Sequence, residues 1–259
     1  MSSRVHILIV GIVFAVIGLA ASPTLQAQSE MTVETIQANL QEQFSQIEDY
    51  MARVKISVEM PGLRMPSKTI DVAFKQPDMT RIESSGIAIA PKTGLHMGPK
   101  NIFDNLQNAR VVDAEYLNGD KHWVVTGDME PDSAQSHMGV PTGGGVENVA
   151  ATIWIDADRW VISRLEMTSN DKPLMTTDIS YHEYNDIWLP AVTNVTFTFS
   201  GDMMGNLPTE HMPGSMEEGS GDDEGNTAKS LEGAVTMEFK NYRVNTGLKD
   251  SFFRTEDNR

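Results

Sequence analysis

The stretch Arg53-Val-Lys-Ile-Ser-Val-Glu-Met60 decides the fold, because every second residue in it is apolar. A period of two puts Val54, Ile56 and Val58 on one side of a strand and Arg53, Lys55, Ser57 and Glu59 on the other. The pattern returns in Ile70, Val72 and Phe74 after a turn between Pro61 and Pro66. With Thr80 to Ser84 and Ile87 to Ala90 following after short breaks, residues 50 to 91 predict an antiparallel meander with one apolar side.

Upstream the period changes. Val33, Ile36, Leu40, Phe44 and Ile47 recur at spacings of three and four, with Glu34, Gln37, Gln41 and Glu48 on the other side. This predicts an amphipathic helix from Thr32 to Asp49. Its polar face is acidic, so it suits packing on a sheet rather than lying on an anionic membrane. Before it, Arg4, the apolar run Ile7 to Ala21, Pro23 and small Ala27 have the order of a secretory signal. The run is shorter than the roughly 20 residues that span a bilayer. Cleavage after Leu25-Gln26-Ala27 is expected, leaving a mature chain from about Gln28 as one domain to residue 259.

Downstream, residues 100 to 109, with Asn101-Ile-Phe-Asp-Asn-Leu106, suggest a short helix placed as a lid. Val111 to Leu117 and Lys121 to Thr126 read as a hairpin about Asn118-Gly119, a pair that favours the tight hairpin turn. Gly127 to Asn148 is rich in Gly, Pro and Ser and reads as a mobile insertion, with its far limit near residue 149. A second hairpin is expected from Ala151 to Asp156 and Trp160 to Thr168, about Asp156-Ala-Asp-Arg159. A third is expected from Leu174 to Ile187 and Ala191 to Ser200, turned at Trp188-Leu-Pro190. Val195, Phe197 and Phe199 share a face, as do Val235, Met237 and Phe239 on the last strand. Residues 201 to 230 hold Met203, Met204, Met212, Met216 and an acidic run from Glu217 to Glu224. Such a composition offers too little apolar area to offset ordering entropy, so disorder is expected there. One helix, about ten strands and two insertions make a mainly β chain built on one large twisted sheet.

The formal charge is -16 and there is no cysteine. Nucleic acid is thereby an unsuitable partner, since phosphate binding needs concentrated basic surface. A disulfide framework and a lipidated cysteine are both excluded. No Gly-x-Ser-x-Gly elbow, His-Glu-x-x-His helix, phosphate loop or dinucleotide fingerprint occurs. His182-Glu183 falls on a predicted strand, where neighbours point to opposite faces. The pairs His96-Met97, His137-Met138 and His211-Met212 have the soft thioether and imidazole donors that suit Cu(I). Asp222-Asp-Glu-Gly225 lacks the alternating oxygen ligands of a calcium loop.

The order of these elements resembles the outer-membrane lipoprotein carrier (LolA-like) superfamily. The likeness is carried by Phe74-Lys-Gln-Pro77, Phe239-Lys-Asn-Tyr-Arg-Val-Asn245 and Asp250-Ser-Phe-Phe253. Gly94-Leu95, Asn118-Gly119 and Thr152-Ile-Trp-Ile-Asp156 are similar to the mycobacterial lipid-carrying lipoproteins. The resemblance implies an incomplete antiparallel barrel curled around a helix, with a hydrophobic cavity for acyl chains. Two departures stand out. Gln76 replaces the arginine that precedes the motif's proline in the proteobacterial carrier, and there is no cysteine to carry the lipid anchor of the mycobacterial proteins. The cavity is expected to be lined by Val54, Ile56, Val58, Ile70, Val72, Phe74, Val195, Phe197, Phe199, Met237 and Phe239. The expected function is that of a periplasmic, non-enzymatic carrier of lipid or lipoprotein acyl chains, without cofactor or metal. An inner- or outer-membrane protein is a further expected partner. A regulatory or sensory module that binds a protein, and a copper-binding protein using the Met/His loop, are the alternatives.

Overall fold

Helix α1 spans Val33–Ser45 and starts where Thr32 can cap it: the Thr32 hydroxyl accepts the Thr35 N–H at 3.2 Å. Ile36 and Leu40, one turn apart, are its buried residues. The helix is shorter than the periodicity predicts. Ile47 continues the apolar spacing, but the chain leaves the helix after Ser45 and Asp49 already opens the first strand. These elements belong to a computed structural model that describes residues 31–60, 63–64, 66–83, 98–130, 133, 147–199 and 231–254.

The meander forms as the alternation requires. β1 (Asp49–Met60) pairs antiparallel with β2 (Leu63–Arg64) and β3 (Lys68–Lys75), and β3 pairs with β4 (Met79–Glu83). The strand expected at Ile87 to Ala90 lies outside the described residues. Helix α2 (Pro99–Phe103) opens on the proline that needs no helical N–H. It ends sooner than expected, because β5 (Leu106–Leu117) begins where residues 104 to 109 read as helix. β6 (Asp120–Met129) likewise runs on through Gly127, so the insertion is narrower than the composition suggests.

β7 (Val149–Asp156) and β8 (Ile162–Ser169) form the second hairpin, β9 (Lys172–Tyr184) and β10 (Ile187–Phe199) the third. The turn of the third is Asn185-Asp186, both at positive φ of 50° and 63°, and not Trp188-Leu189-Pro190. Two consecutive left-handed residues give the turn that matches strand twist. Pro190 is instead a strand residue beside a bulge between Pro190 and Val192. β11 (Leu231–Val244) and a short helix α3 (Asp250–Phe253) complete the described chain.

Among the described residues the sheet has eleven strands, in the order β4-β3-β1-β11-β10-β9-β8-β7-β6-β5, with β2 attached to β1. It is curved and does not close into a barrel. Bulges in the β1/β11, β9/β10, β7/β8, β8/β9 and β5/β6 pairs supply the local bends. One face carries the core, in which Ile36 and Leu40 of α1 join side chains from β1, β3 and β6 to β11. No described helix is long and apolar enough to cross a membrane.

Candidate functional site

The expected lining residues whose side chains are described belong to the packed apolar core on one face of the sheet. Val54 of β1 lies opposite Ile70 on β3 and Phe239 on β11, Ile56 opposite Met237, and Val195 of β10 opposite Val235. Val54, Ile56, Ile70, Val72, Phe74, Val195, Met237 and Phe239 are buried, while Val58 and Phe197 are half-buried. Phe199 ends β10, and its side chain lies outside the described residues.

Alternation alone misses part of this face. Tyr242 has the wrong parity to accompany Val235, Met237 and Phe239, yet its ring stacks on Phe239 at 6.3 Å and meets Tyr50 edge-on at 5.7 Å. The cause is a bulge: Met51 pairs with Arg243 but Arg53 pairs with Lys240, so β11 carries an extra residue, with Asn241 at φ 57°. The positive-φ asparagine is the sequence signal that could have located it. Phe74 extends the aromatic group, 5.4 Å from Tyr50 and 5.8 Å from Phe44 of α1. Burial pushes the Tyr50, Tyr181 and Tyr242 phenols far up. The Tyr242 hydroxyl donates to the Pro190 carbonyl and that of Tyr181 to the Ile162 carbonyl, both at 2.8 Å. The floor of the face also holds two fully buried threonines, Thr177 and Thr193, whose hydroxyls have no hydrogen-bond partner.

The end of the sheet beside α1 is fastened by two polar clamps. Gln76, at the position where the resemblance leads one to expect arginine, donates its amide to the Phe44 and Ile47 carbonyls at 3.0 and 2.8 Å. It thus satisfies orphan acceptors at the helix C-terminus. Asp49 accepts the backbone N–H groups of Thr246, Gly247 and Leu248 and the Thr246 hydroxyl. Burial works upward on its carboxyl, but the Leu248, Thr246 and Gly247 donors hold it below the usual carboxylate range.

The opposite face of the sheet carries a polar cleft that sequence reasoning did not find. It encloses about 440 Å³ between the β5–β6 hairpin tip, the turn after β7, and strands β8, β9 and β10. Asp120, His122, Arg159, Ser163, Arg164 and Asp178 are among its walls. Trp154 and Arg164, neighbours on that face, each donate to a carboxylate: the Trp154 indole to Glu115 at 2.8 Å and the Arg164 guanidinium to Asp178 at 2.6 Å. His182 and Glu183 are exposed residues of β9. Among the described residues no three acidic or histidine side chains converge as a metal site. The three His-Met pairs, the acidic run and the 201 to 230 segment lie outside the described residues.

No family model matches the chain, and neither does any curated protein. Solved structures that are similar in shape include a DUF1329 family protein from Desulfovibrio piger, with 10% identity and a TM-score of 0.49 over 86% of this chain and 97% of that one. They also include a LolA superfamily protein from Nitrosomonas europaea, with 8% identity and a TM-score of 0.46 over 87% and 98%. A third is the lipoprotein LppX of Mycobacterium tuberculosis, with 10% identity and a TM-score of 0.31 over 84% and 98%. Likenesses this distant add nothing to what the chain's own residues say about chemistry.

Proposed function

We propose that the protein is an exported carrier, acting in the periplasm, that shelters the acyl chains of a lipid or lipoprotein against the inner face of its open sheet. The observation that supports this reading is the mismatch between the apolar face and the helix over it. Ten strands at the usual spacing make a sheet about 43 Å wide along its curve, whereas the 13 residues of α1 make a rod about 20 Å long. Apolar side chains run across the inner face from Val72 on β3 to Val125 on β6. The helix is shorter than that width, and because Val72 and Val125 are already buried, an acyl chain would enter by displacing side chains packed over them.

The energetics suit a carrier. Moving an acyl chain from water to an apolar site gains about 0.8 kcal/mol per CH₂. A ten-carbon stretch therefore reaches about 8 kcal/mol before ordering costs, in the micromolar range. Such a ligand is held yet can be released.

A second reading, a regulatory module that binds a protein, draws on the free edge of β5. Among the described residues that strand pairs only with β6, and it exposes 73% of Tyr116 and 48% of Val112. An unpaired edge with apolar side chains is suited to strand addition.

Native mass spectrometry of the protein purified from its own periplasm tests both. A lipid-sized adduct that is displaced by added fatty acid is the expected result. A bare chain that also fails to bind a fluorescent fatty acid overturns the carrier reading, and a stoichiometric protein partner with no lipid establishes the regulatory one.

A further inference from the structure

We propose that Ser163 and His122 form a nucleophile and general-base pair, and that the polar cleft they line binds small carboxylic esters for hydrolysis. The proposal concerns the face opposite the apolar one and is independent of the carrier reading.

The pair owes its existence to a bulge. Trp154 pairs with Arg164 and Ile155 with Ile162, so Ser163 is the extra residue of β8. Without the bulge, alternation would send Ser163 to the side away from Arg164. With it, the Ser163 hydroxyl reaches His122 of β6, and its oxygen lies 2.9 Å from Nε2. The ring's other nitrogen, Nδ1, lies 2.9 Å from the Asp120 carbonyl oxygen. A carbonyl can only accept, so Nδ1 carries the hydrogen, and in the neutral ring the Nε2 lone pair faces the hydroxyl. That is the arrangement a base needs to take a serine proton.

Surrounding charges favour the same step. The Asp156 carboxylate stands 3.9 Å from Nε2, so it stabilises the imidazolium that forms. Asp156 is itself held in place by the Arg159 side chain and by the Asp158 and Arg159 N–H groups, and it acts as a positioning residue. Arg159 and Arg164 put two guanidinium groups in the cleft wall. Both are paired with carboxylates, Arg159 with Asp120 and Asp156 and Arg164 with Asp178, so an ester carbonyl would share donors that are already in use. Among the described residues, Glu115 on β5 lies opposite His122, and Asp120, Asp178 and Tyr181 share the cleft lining with it.

In the reaction the Ser163 oxygen bonds to the ester carbonyl carbon while its proton passes to Nε2. Collapse of the adduct breaks the carbon–oxygen bond to the alcohol, and Nε2 returns the proton to the departing oxygen. Water then attacks the acyl-serine with the same ring as base, which releases the carboxylic acid and restores the hydroxyl.

An alkyl fluorophosphonate tests the pair in the purified full-length protein, because it bonds phosphorus to an activated serine oxygen as fluoride leaves. The expected result is one adduct, mapped to Ser163, that is absent from Ser163→Ala. In the wild type the labelling rate should fall as the pH is lowered and the ring takes up a proton, a readout that a purely structural histidine would not move. His122→Gln should label about 100-fold more slowly or worse. A folded wild type with no adduct at Ser163, or with a pH-independent rate of labelling there, overturns the proposal. Lipid retention by Ser163→Ala, read in the same spectra, reports on the carrier reading separately.

Discussion

The carboxylate of Asp49 accepts the backbone N–H of Leu248 at 2.9 Å and so joins two parts of the chain 199 residues apart. Gly247 donates to the same oxygen at 2.8 Å, and Thr246 donates twice to the other. The first strand of the sheet and the segment after the last are thus closed by one buried ion. Asp49→Asn keeps the shape but loses charge-assisted acceptance, and it should cost about 2 kcal/mol in urea unfolding.

The same carboxylate makes a pH prediction. Its folded-state pKa is depressed, so its contribution is fully present above the unfolded aspartate value of about 4 and is lost as the pH falls through the lower folded value. Wild-type stability should therefore decline below about pH 4, and Asp49→Asn should decline less steeply over that interval. Urea midpoints measured from pH 5 to pH 2 check this, and parallel slopes would contradict it.

Gln76 occupies the end of α1 with two hydrogen bonds, to Phe44 and Ile47. Gln76→Ala should lower stability by about 1 to 2 kcal/mol. It should also speed amide exchange at Gln46 and Ile47, whose N–H groups close the last turn of the helix. Unchanged exchange there would show that the clamp does not hold the helix end.

Thr177 and Thr193 carry hydroxyls that left water without gaining a partner. Replacing either by valine, which keeps the shape, should stabilise the protein by about 1 kcal/mol. The melting temperature of each variant should rise by about 2 to 4 °C. A fall in melting temperature would mean that the hydroxyls are satisfied in solution.

Gly233 lies opposite Phe197, and a β-carbon built on it would come within 2.4 Å of the Phe197 ring. Gly233→Ala should cost about 1 to 3 kcal/mol by forcing the ring aside. The cost should largely vanish in a Phe197→Leu background, so a double-mutant cycle in urea is the check. Equal costs in both backgrounds would place the strain elsewhere.

Much of this molecule is legible from local pattern. Alternation in Arg53 to Met60 and at Ile70, Val72 and Phe74 identifies strands and their apolar sides, and Asn118-Gly119 locates a hairpin turn where both residues stand at positive φ, 54° and 96°. These features depend on a residue and its near neighbours. The turn at Asn185-Asp186 was equally local and was masked by the more conspicuous proline a few residues on.

Sequence by itself determined that the chain is mainly β, that α1 has one apolar side, and that the strands share a greasy face. Only the tertiary structure decided that β1 sits between β3 and β11, that Tyr242 turns inward, and that Ser163 meets His122. The physical reason is that period and turn chemistry are fixed over a few residues, whereas a bulge in a paired strand reverses parity and a non-local register brings together residues whose spacing carries no motif.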